Sequence, residues 1–262
     1  MKKTDNTIRI AVAYEKGGVG KTTTAVNLAA ELAKRGYKTL LMDTDFQAYA
    51  STYFGFSYTG NINDVITKNA SPTEVIFQTK WENLDVLPSH RSLEGIEKYL
   101  ISKEIKGENP NTILKQIMQE VDKQYDFVII DCPPSGGYIK SATLVYADYL
   151  LLPTIPDDNA LNGLLVVSEK VYNIKRTYNP NLEVLGLLIT MYERTALKKA
   201  YTEALKKQNM LPCFDTVIRK NAALAEARNN NKPICQYRRT SNGCKDYEAL
   251  ATELIEKIGG VR

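Results

Sequence analysis

The chain is 262 residues long, with 44% hydrophobic and 24% charged residues and a formal net charge of +4. That balance is ordinary for a globular protein and leaves room for a sizeable core. No apolar run of about 18 residues is present, so a transmembrane helix is not expected, and Met1-Lys2-Lys3-Thr4-Asp5 leads into a strand without a signal-peptide core. Cys132, Cys213, Cys235 and Cys244 show no C-x-x-C spacing, which argues against a metal or iron–sulfur site and for reduced cytoplasmic thiols.

In chain order, Ile8 to Ala13 is an apolar run that predicts a buried strand. Lys16-Gly17-Gly18-Val19-Gly20-Lys21-Thr22-Thr23 follows, and Ala25, Leu28, Ala29 and Leu32 then recur at helical spacing up to Arg35, with Gly36 where a helix-ending glycine belongs. Strand, glycine-rich turn and helix together are the context of a phosphate-binding loop. Glycines let backbone N–H groups close around a polyphosphate, and the helix points its partial positive end at the same anion. Lys21 is placed to reach β- and γ-phosphates and Thr22 to ligate Mg²⁺. The general pattern G-x-x-x-x-G-K-[ST] asks for glycine at position 15, where Glu15 stands, and a second lysine, Lys16, opens the loop instead.

Thr39 to Met42 predicts a short strand ending in Asp43-Thr44-Asp45, two acids at i and i+2 that leave the pleat on the same side. In an open parallel sheet that end is where ligands sit. Ser51 to Gly60 is expected as a loop after a short helix, and Asn63–Thr67 and Pro72–Phe77 as short helices. Trp81 is expected to pack, Leu84–Leu87 to form a strand, and His90, the sole histidine, to lie on the surface. Thr112 to Asp122 has the spacing of a helix on a sheet. Phe127-Val128-Ile129-Ile130-Asp131 is a central parallel strand with an acid at its carboxyl end, the Walker B arrangement for Mg²⁺, and Cys132-Pro133-Pro134-Ser135 follows as a stiff turn.

Beyond it, Tyr149–Ile155, Val184–Thr190 and Thr216–Ile218 predict strands, while Asp158–Tyr178, Ala196–Gln208 and Lys245–Ile258 predict helices. Alternating strands and helices without linker or repeat imply one α/β domain over residues 1–262, with a mostly parallel twisted sheet and helices on both faces. From Arg219 to Arg239 the charges are Arg219, Lys220, Arg228, Lys232, Arg238 and Arg239 against Glu226 alone, a pattern suited to phosphate contact rather than base reading.

Four of these stretches resemble motifs of the ParA/MinD superfamily of P-loop ATPases: Lys16–Thr22 its deviant Walker A motif, KGGxGK[ST]; Asp43–Ala48 its D-x-D-P-Q-G; Asp131–Ser135 its D-x-P-P-S; and Thr216–Ile234 the ParA segment T-V-I-P-R-N-x-x-L-x-E-A…G-K-P. The resemblance runs from about Ile8 to the terminal helix and is nearest the small ParA/Soj type. It implies an Mg²⁺-dependent ATPase that dimerises on ATP, binds DNA without sequence preference, lies on the nucleoid and is stimulated by a ParB-type centromere-binding partner to segregate a plasmid, mobile element or chromosome origin. It assigns ATP to Lys16, Gly17, Gly18, Val19, Gly20, Lys21, Thr22 and Thr23, with Met191, Ile218 and Lys220 near the base. Catalysis falls to Lys16, reaching a partner's nucleotide, to Lys21, and to Asp45, orienting water; Thr22, Asp43 and Asp131 serve the metal. DNA falls to Arg194, Arg219, Lys220, Arg228, Arg238 and Arg239, with Lys198 and Lys199 as neighbours. Phe46, Ala48, Arg219 and Ala223 depart from the family pattern, which usually has Pro, Gly, Pro and Arg there. A MinD-like membrane-cycling ATPase is the alternative, but the terminal helix is net acidic on its polar side, unlike a membrane-targeting helix. Iron–sulfur carriers and tyrosine kinases share the loop, yet the cysteine pair of the first and the tyrosine-rich tail of the second are missing.

Overall fold

The computed structural model describes residues 7–55, 58–134 and 136–259. The apolar runs form β1 (Ile8–Val12), β2 (Thr39–Asp43), β3 (Phe77–Gln78), β4 (Leu84–Leu87), β5 (Phe127–Asp131), β6 (Tyr149–Thr154), β7 (Glu183–Tyr192) and β8 (Cys213–Arg219). They make one sheet in the order β3-β4-β2-β5-β1-β6-β7-β8, parallel throughout except for the short β3 against β4. Every residue of β2 and β5 is buried, which is why these runs are continuously apolar rather than alternating. Register aligns Val12 with Asp131 and Asp43 with Asp131, so three adjacent strands finish level at one edge.

The helices are α1 (Lys21–Lys34), α2 (Tyr49–Thr52), α3 (Ile62–Lys68), α4 (Pro72–Val75), α5 (Ile96–Ile105) and α6 (Ile113–Ile117). After β5 come α7 (Tyr138–Tyr146), α8 (Ala160–Thr177), α9 (Ala196–Lys207), α10 (Ala222–Asn229), α11 (Ile234–Tyr237) and α12 (Asn242–Lys257). One core lies between the sheet and α1 with α10 to α12; the other lies under α3 and α5 to α8. The doubly covered single α/β domain expected from the alternation is what forms.

Some local expectations shift. The helix expected over Thr112–Asp122 stops at Ile117, because the chain tightens through turns at Met118 and Val121 that drop both side chains into the core ahead of β5. Two helices carry no legible stripe: α5 leaves Ile101 and Ile105 exposed, and α7 is buried on nearly every side. Trp81 does pack, edge-on against Phe54, and His90 is exposed at a helix start. The helix α12 begins three residues earlier than its apolar spacing suggests, because the Ser241 hydroxyl accepts from the Cys244 N–H at 3.1 Å and caps it. Tyr247, Leu250 and Leu254 seat α12 on the sheet beside α1. Among the described residues no helix is long and apolar enough to cross a membrane. Residues 56–57 of the Ser51–Gly60 loop, and Ser135 of the Cys132–Ser135 turn, lie outside the described residues.

Candidate nucleotide site

The chain leaves β1 and turns sharply before α1. Gly18 and Gly20 hold φ of +74° and +87°, in the left-handed region where a Cβ is strained. Space is not the constraint: a Cβ on Gly17 or Gly18 would meet nothing within 4 Å. The loop is therefore an open cradle of backbone at the start of a 14-residue helix whose first turn carries no acidic residue. The Thr190 hydroxyl donates to the Val19 carbonyl at 2.8 Å and pins the loop to β7. Lys21 is 7% exposed and its Nζ donates to the Lys16 carbonyl at 3.1 Å, so the ammonium is held inside the loop's curve. Burial lowers its pKa, although Asp131 and Asp45 pull the other way.

Facing this cation are three carboxylates. Asp131, fully buried at the end of β5, has no hydrogen bond of normal geometry to either oxygen, although the Thr22 hydroxyl is close enough to favour its charge. Burial first, then the neighbouring Asp43, hold its carboxyl well above the usual range. Asp43 spends its oxygens on the Ser51 N–H and hydroxyl, at 2.8 and 2.7 Å, and on the Asp45 N–H at 3.0 Å; burial pushes it up to about 6. Its first task is thus to fold the loop that carries Asp45. Among the described residues Asp45 accepts only the Gln47 N–H, at 3.0 Å, and burial raises its pKa as well. An uncompensated buried carboxylate beside a hydroxyl and below an open backbone cradle suits a hydrated divalent cation bridging to phosphate.

The loop and Asp45 wall a cleft of about 340 Å³ lined by Gly17, Gly18, Gly20, Lys21, Thr22, Thr23, Asp45, Gln47, Tyr49, Tyr53, Pro134, Met191 and Arg228, with Asp43 and Asp131 buried behind it. A larger hollow of about 480 Å³ lies at the far end of α1, around Lys34, Trp81 and Gln236, away from the loop and the carboxylates. The departure at Ala48 leaves the turn intact: Ala48 takes φ +54°, the conformation a glycine adopts freely, at a cost of about 1–2 kcal/mol. Met191 is held at φ +50°, so two strained residues flank the site. Phe46 packs partly buried on the core under the same loop.

Several expected residues lie elsewhere. Ile218 is buried in the core behind β8 and does not line the cleft, because its side chain faces the α12 side of the sheet. Lys220 is paired to Glu193 at 3.2 Å and also stands off the cleft. Arg219 is not a free surface charge: its guanidinium and N–H grip the nearly buried Asp246, with Nη2–Oδ1 at 2.5 Å. Arg238 pairs with Glu226 at 3.0 Å and Lys199 with Glu203 at 4.0 Å, and Lys198 donates to the Pro156 carbonyl at 2.9 Å. Arg194 is exposed with no carboxylate partner among the described residues, and Arg239 donates only to the Cys235 carbonyl, at 3.3 Å. Arg228 sits in the cleft wall.

Lys16 does not line its own cleft. Its side chain is 49% exposed and its Nζ meets Asp157 Oδ2 at 2.5 Å. Glu15, at the position of the missing glycine, is held by Lys140 at 2.9 Å and Lys170 at 3.0 Å; burial raises its carboxyl, but the two ammoniums prevail and keep it below the usual range. Lys140 also donates to the Pro134 carbonyl at 3.3 Å, tying the loop's front to the turn after β5. Tyr49, Tyr53, Ser51, Asp157 and Lys140 carry no motif; only spatial proximity finds them. Cys132 is fully buried, which pushes its thiol far up and leaves it unreactive.

A protein family described as AAA domain matches residues 7–184. The sporulation initiation inhibitor protein Soj of Bacillus subtilis is 36% identical over 252 residues, covering 94% of this chain and 97% of that protein. The chromosome partitioning protein ParA of Myxococcus xanthus is 33% identical over 252 residues, covering 95% and 88%. The solved structure of cobyrinic acid a,c-diamide synthase from Mycobacterium smegmatis, with bound ATP analog and magnesium, superposes with a TM-score of 0.85 at 27% identity, covering 98% of this chain and 97% of that one.

Proposed function

The chain belongs to the ParA/Soj family of chromosome-partitioning ATPases, and from that premise we propose that it hydrolyses ATP with Mg²⁺ and works as an ATP-bound dimer on DNA to partition a replicon. The observation that carries the chemistry is the fully buried Asp131 carboxylate beside the Thr22 hydroxyl and the Lys21 ammonium, without a hydrogen bond of normal geometry among the described residues. Thr22 would hold the cation directly, Asp131 through its water shell, and the cation would supply charge neutralisation along the phosphates. Lys21 and the start of α1 bind the phosphate oxygens, and Asp45, with one oxygen unspent and facing the cleft, orients the attacking water. Asp43 contributes by shaping the loop that carries Asp45.

Dimerisation follows from Lys16. A lysine that points away from its own cleft serves a site other than its own, and Asp157 holds it meanwhile. Lys16→Ala is expected to bind Mg–ATP within about threefold of the parent yet to stay monomeric, since the exposed pair it breaks is itself worth little. Sedimentation with ATP checks this, and an unchanged ATP-dependent dimer would remove Lys16 from that role.

DNA attraction rests on fewer charges than the basic run from Arg219 suggests, because Arg219, Lys220 and Arg238 are neutralised locally. Outside the cleft, Arg194, Lys232 and Arg239 remain without a carboxylate partner among the described residues, and a dimer doubles them, which makes binding depend on ATP. Replacing the two arginines by alanine is expected to weaken binding equally across sequences. It should also flatten the slope of log affinity against log salt by about one unit for each phosphate no longer neutralised. Identical slopes for variant and parent would leave those residues as solvated charge. A DNA-associated, cytoplasmic protein fits α12 better than a membrane-cycling one, because its apolar face is already spent on α1 and the sheet. A small centromere-binding protein of the ParB type is the proposed partner, detected as a rise in ATP turnover when both it and DNA are present.

A further inference from the structure

Arg228 falls within the Thr216–Ile234 segment at a position its motif does not specify. It is exposed on α10, yet it lines the cleft together with Lys21, Thr23 and Tyr49. Its guanidinium carbon stands 4.5 Å above the centroid of the Tyr49 ring, so a residue of α10 is seated on one of α2 across the cleft wall. Among the described residues it donates no hydrogen bond and forms no ion pair, whereas Arg219, Lys220 and Arg238 of the same basic run all do. The Tyr53 hydroxyl, which lines the same cleft, feels the Arg228 charge and, with Asn27 near it, still lacks a hydrogen bond of normal geometry. The cleft wall thus holds a planar fork of unspent donors beside a buried hydroxyl that lacks a hydrogen bond of normal geometry. Its lining offers one other cation, Lys21, against Asp45 and the nearby Asp43 and Asp131.

Resting on the nucleotide-binding reading above, we propose that Arg228 is a phosphate ligand of this cleft, carried on Tyr49 and swung onto the polyphosphate of the bound nucleotide. A guanidinium matches phosphate oxygens two at a time, which a lysine ammonium cannot do. Stacking on Tyr49 restricts the arginine before the ligand arrives, so less freedom is lost on binding. The contact joins α10, and through it the basic end of the chain, to the loop carrying Asp45. Nucleotide occupancy is thereby sensed at the segment that carries Arg238 and Arg239.

The test is calorimetric titration of the full chain with Mg–ATP and Mg–ADP, alongside melting curves without nucleotide. Arg228→Ala is expected to bind Mg–ATP about tenfold more weakly, the low end for a charged hydrogen bond. Arg228→Lys should fall between it and the parent, and Tyr49→Ala should lose affinity in the same direction by a smaller factor. Melting without nucleotide should fall by no more than the loss of one exposed cation–π contact on Tyr49 allows. Equal affinity of parent and Arg228→Ala overturns the inference, and if DNA affinity falls at the same time the residue belongs to the DNA surface. A melting temperature lowered well beyond that of Tyr49→Ala in the absence of nucleotide makes it a structural residue and overturns the inference too. Lys21→Ala separates the two levels: loss of binding there with none in Arg228→Ala refutes only the role of Arg228, while a parent that binds no nucleotide refutes the ATPase reading and this inference with it.

Discussion

Lys21→Ala is expected to lower ATP turnover at least about a hundredfold, the usual effect of removing a preorganised donor to transferring phosphate or a developing oxyanion. The size follows from the site's charge balance. Asp43, Asp45 and Asp131 converge at the ends of β2 and β5, and Lys21 is the buried cation set among them. Its Nζ is already fixed by the Lys16 carbonyl, so little freedom is lost when phosphate replaces that carbonyl. Without it the triphosphate meets the buried carboxylates with no buried cation between them, and binding itself should fall. Phosphate-release assays and nucleotide titration measure the two effects separately. The melting temperature should change little or rise, because the lysine is destabilised by its own burial. Parent-like hydrolysis in this variant would end the assignment of the loop.

Asp45→Ala is expected to separate binding from turnover. A positioned general base or water-orienting group contributes about 10²–10⁴ in rate, and Asp45 is the carboxylate of the three that lines the cleft with a spare oxygen. Mg–ATP affinity should hold or improve, because one of several like charges is gone while Thr22 and Asp131 remain for the cation. The variant should therefore accumulate as an ATP-bound dimer, visible as a long-lived larger species by light scattering after ATP is added. If Asp45→Ala fails to bind Mg–ATP, the carboxylate belongs to the metal and not to the water. Asp43→Ala gives the contrast: it removes the acceptor for Ser51 and Asp45 N–H groups, so it should disturb the loop and cost about 1–3 kcal/mol in stability.

The strands and the loop were legible because their signals are local. A fully buried parallel strand must be apolar along its whole length, so Phe127 to Ile130 announces itself, and an acid ending that run stands at the ligand edge of the sheet. A tight anion-binding turn needs left-handed backbone at two positions, so Gly18 and Gly20 announce themselves too. A helix buried on nearly every side, as α7 is, carries no clean period to read, whereas α6 shows the reverse: its period runs on through Met118 and Val121 although tight turns end the helix at Ile117.

What the amino-acid order determined by itself was the phosphate loop, the acids that face it and the layered α/β architecture, because each depends on neighbours within a few residues. Which charges are free was decided only by the tertiary structure. Arg219 looked like the head of a basic surface and is spent on Asp246, 27 residues away. Lys16 is held by Asp157, 141 residues away, and Glu15 by Lys140, 125 residues away. Arg228 lies within the same run as Arg219 and Arg238, yet it alone of the three enters the nucleotide cleft, because α10 packs where α2 presents Tyr49. A charge's effect depends on what lies within a few ångströms of it, and for long polar side chains that neighbourhood is assembled from distant parts of the chain.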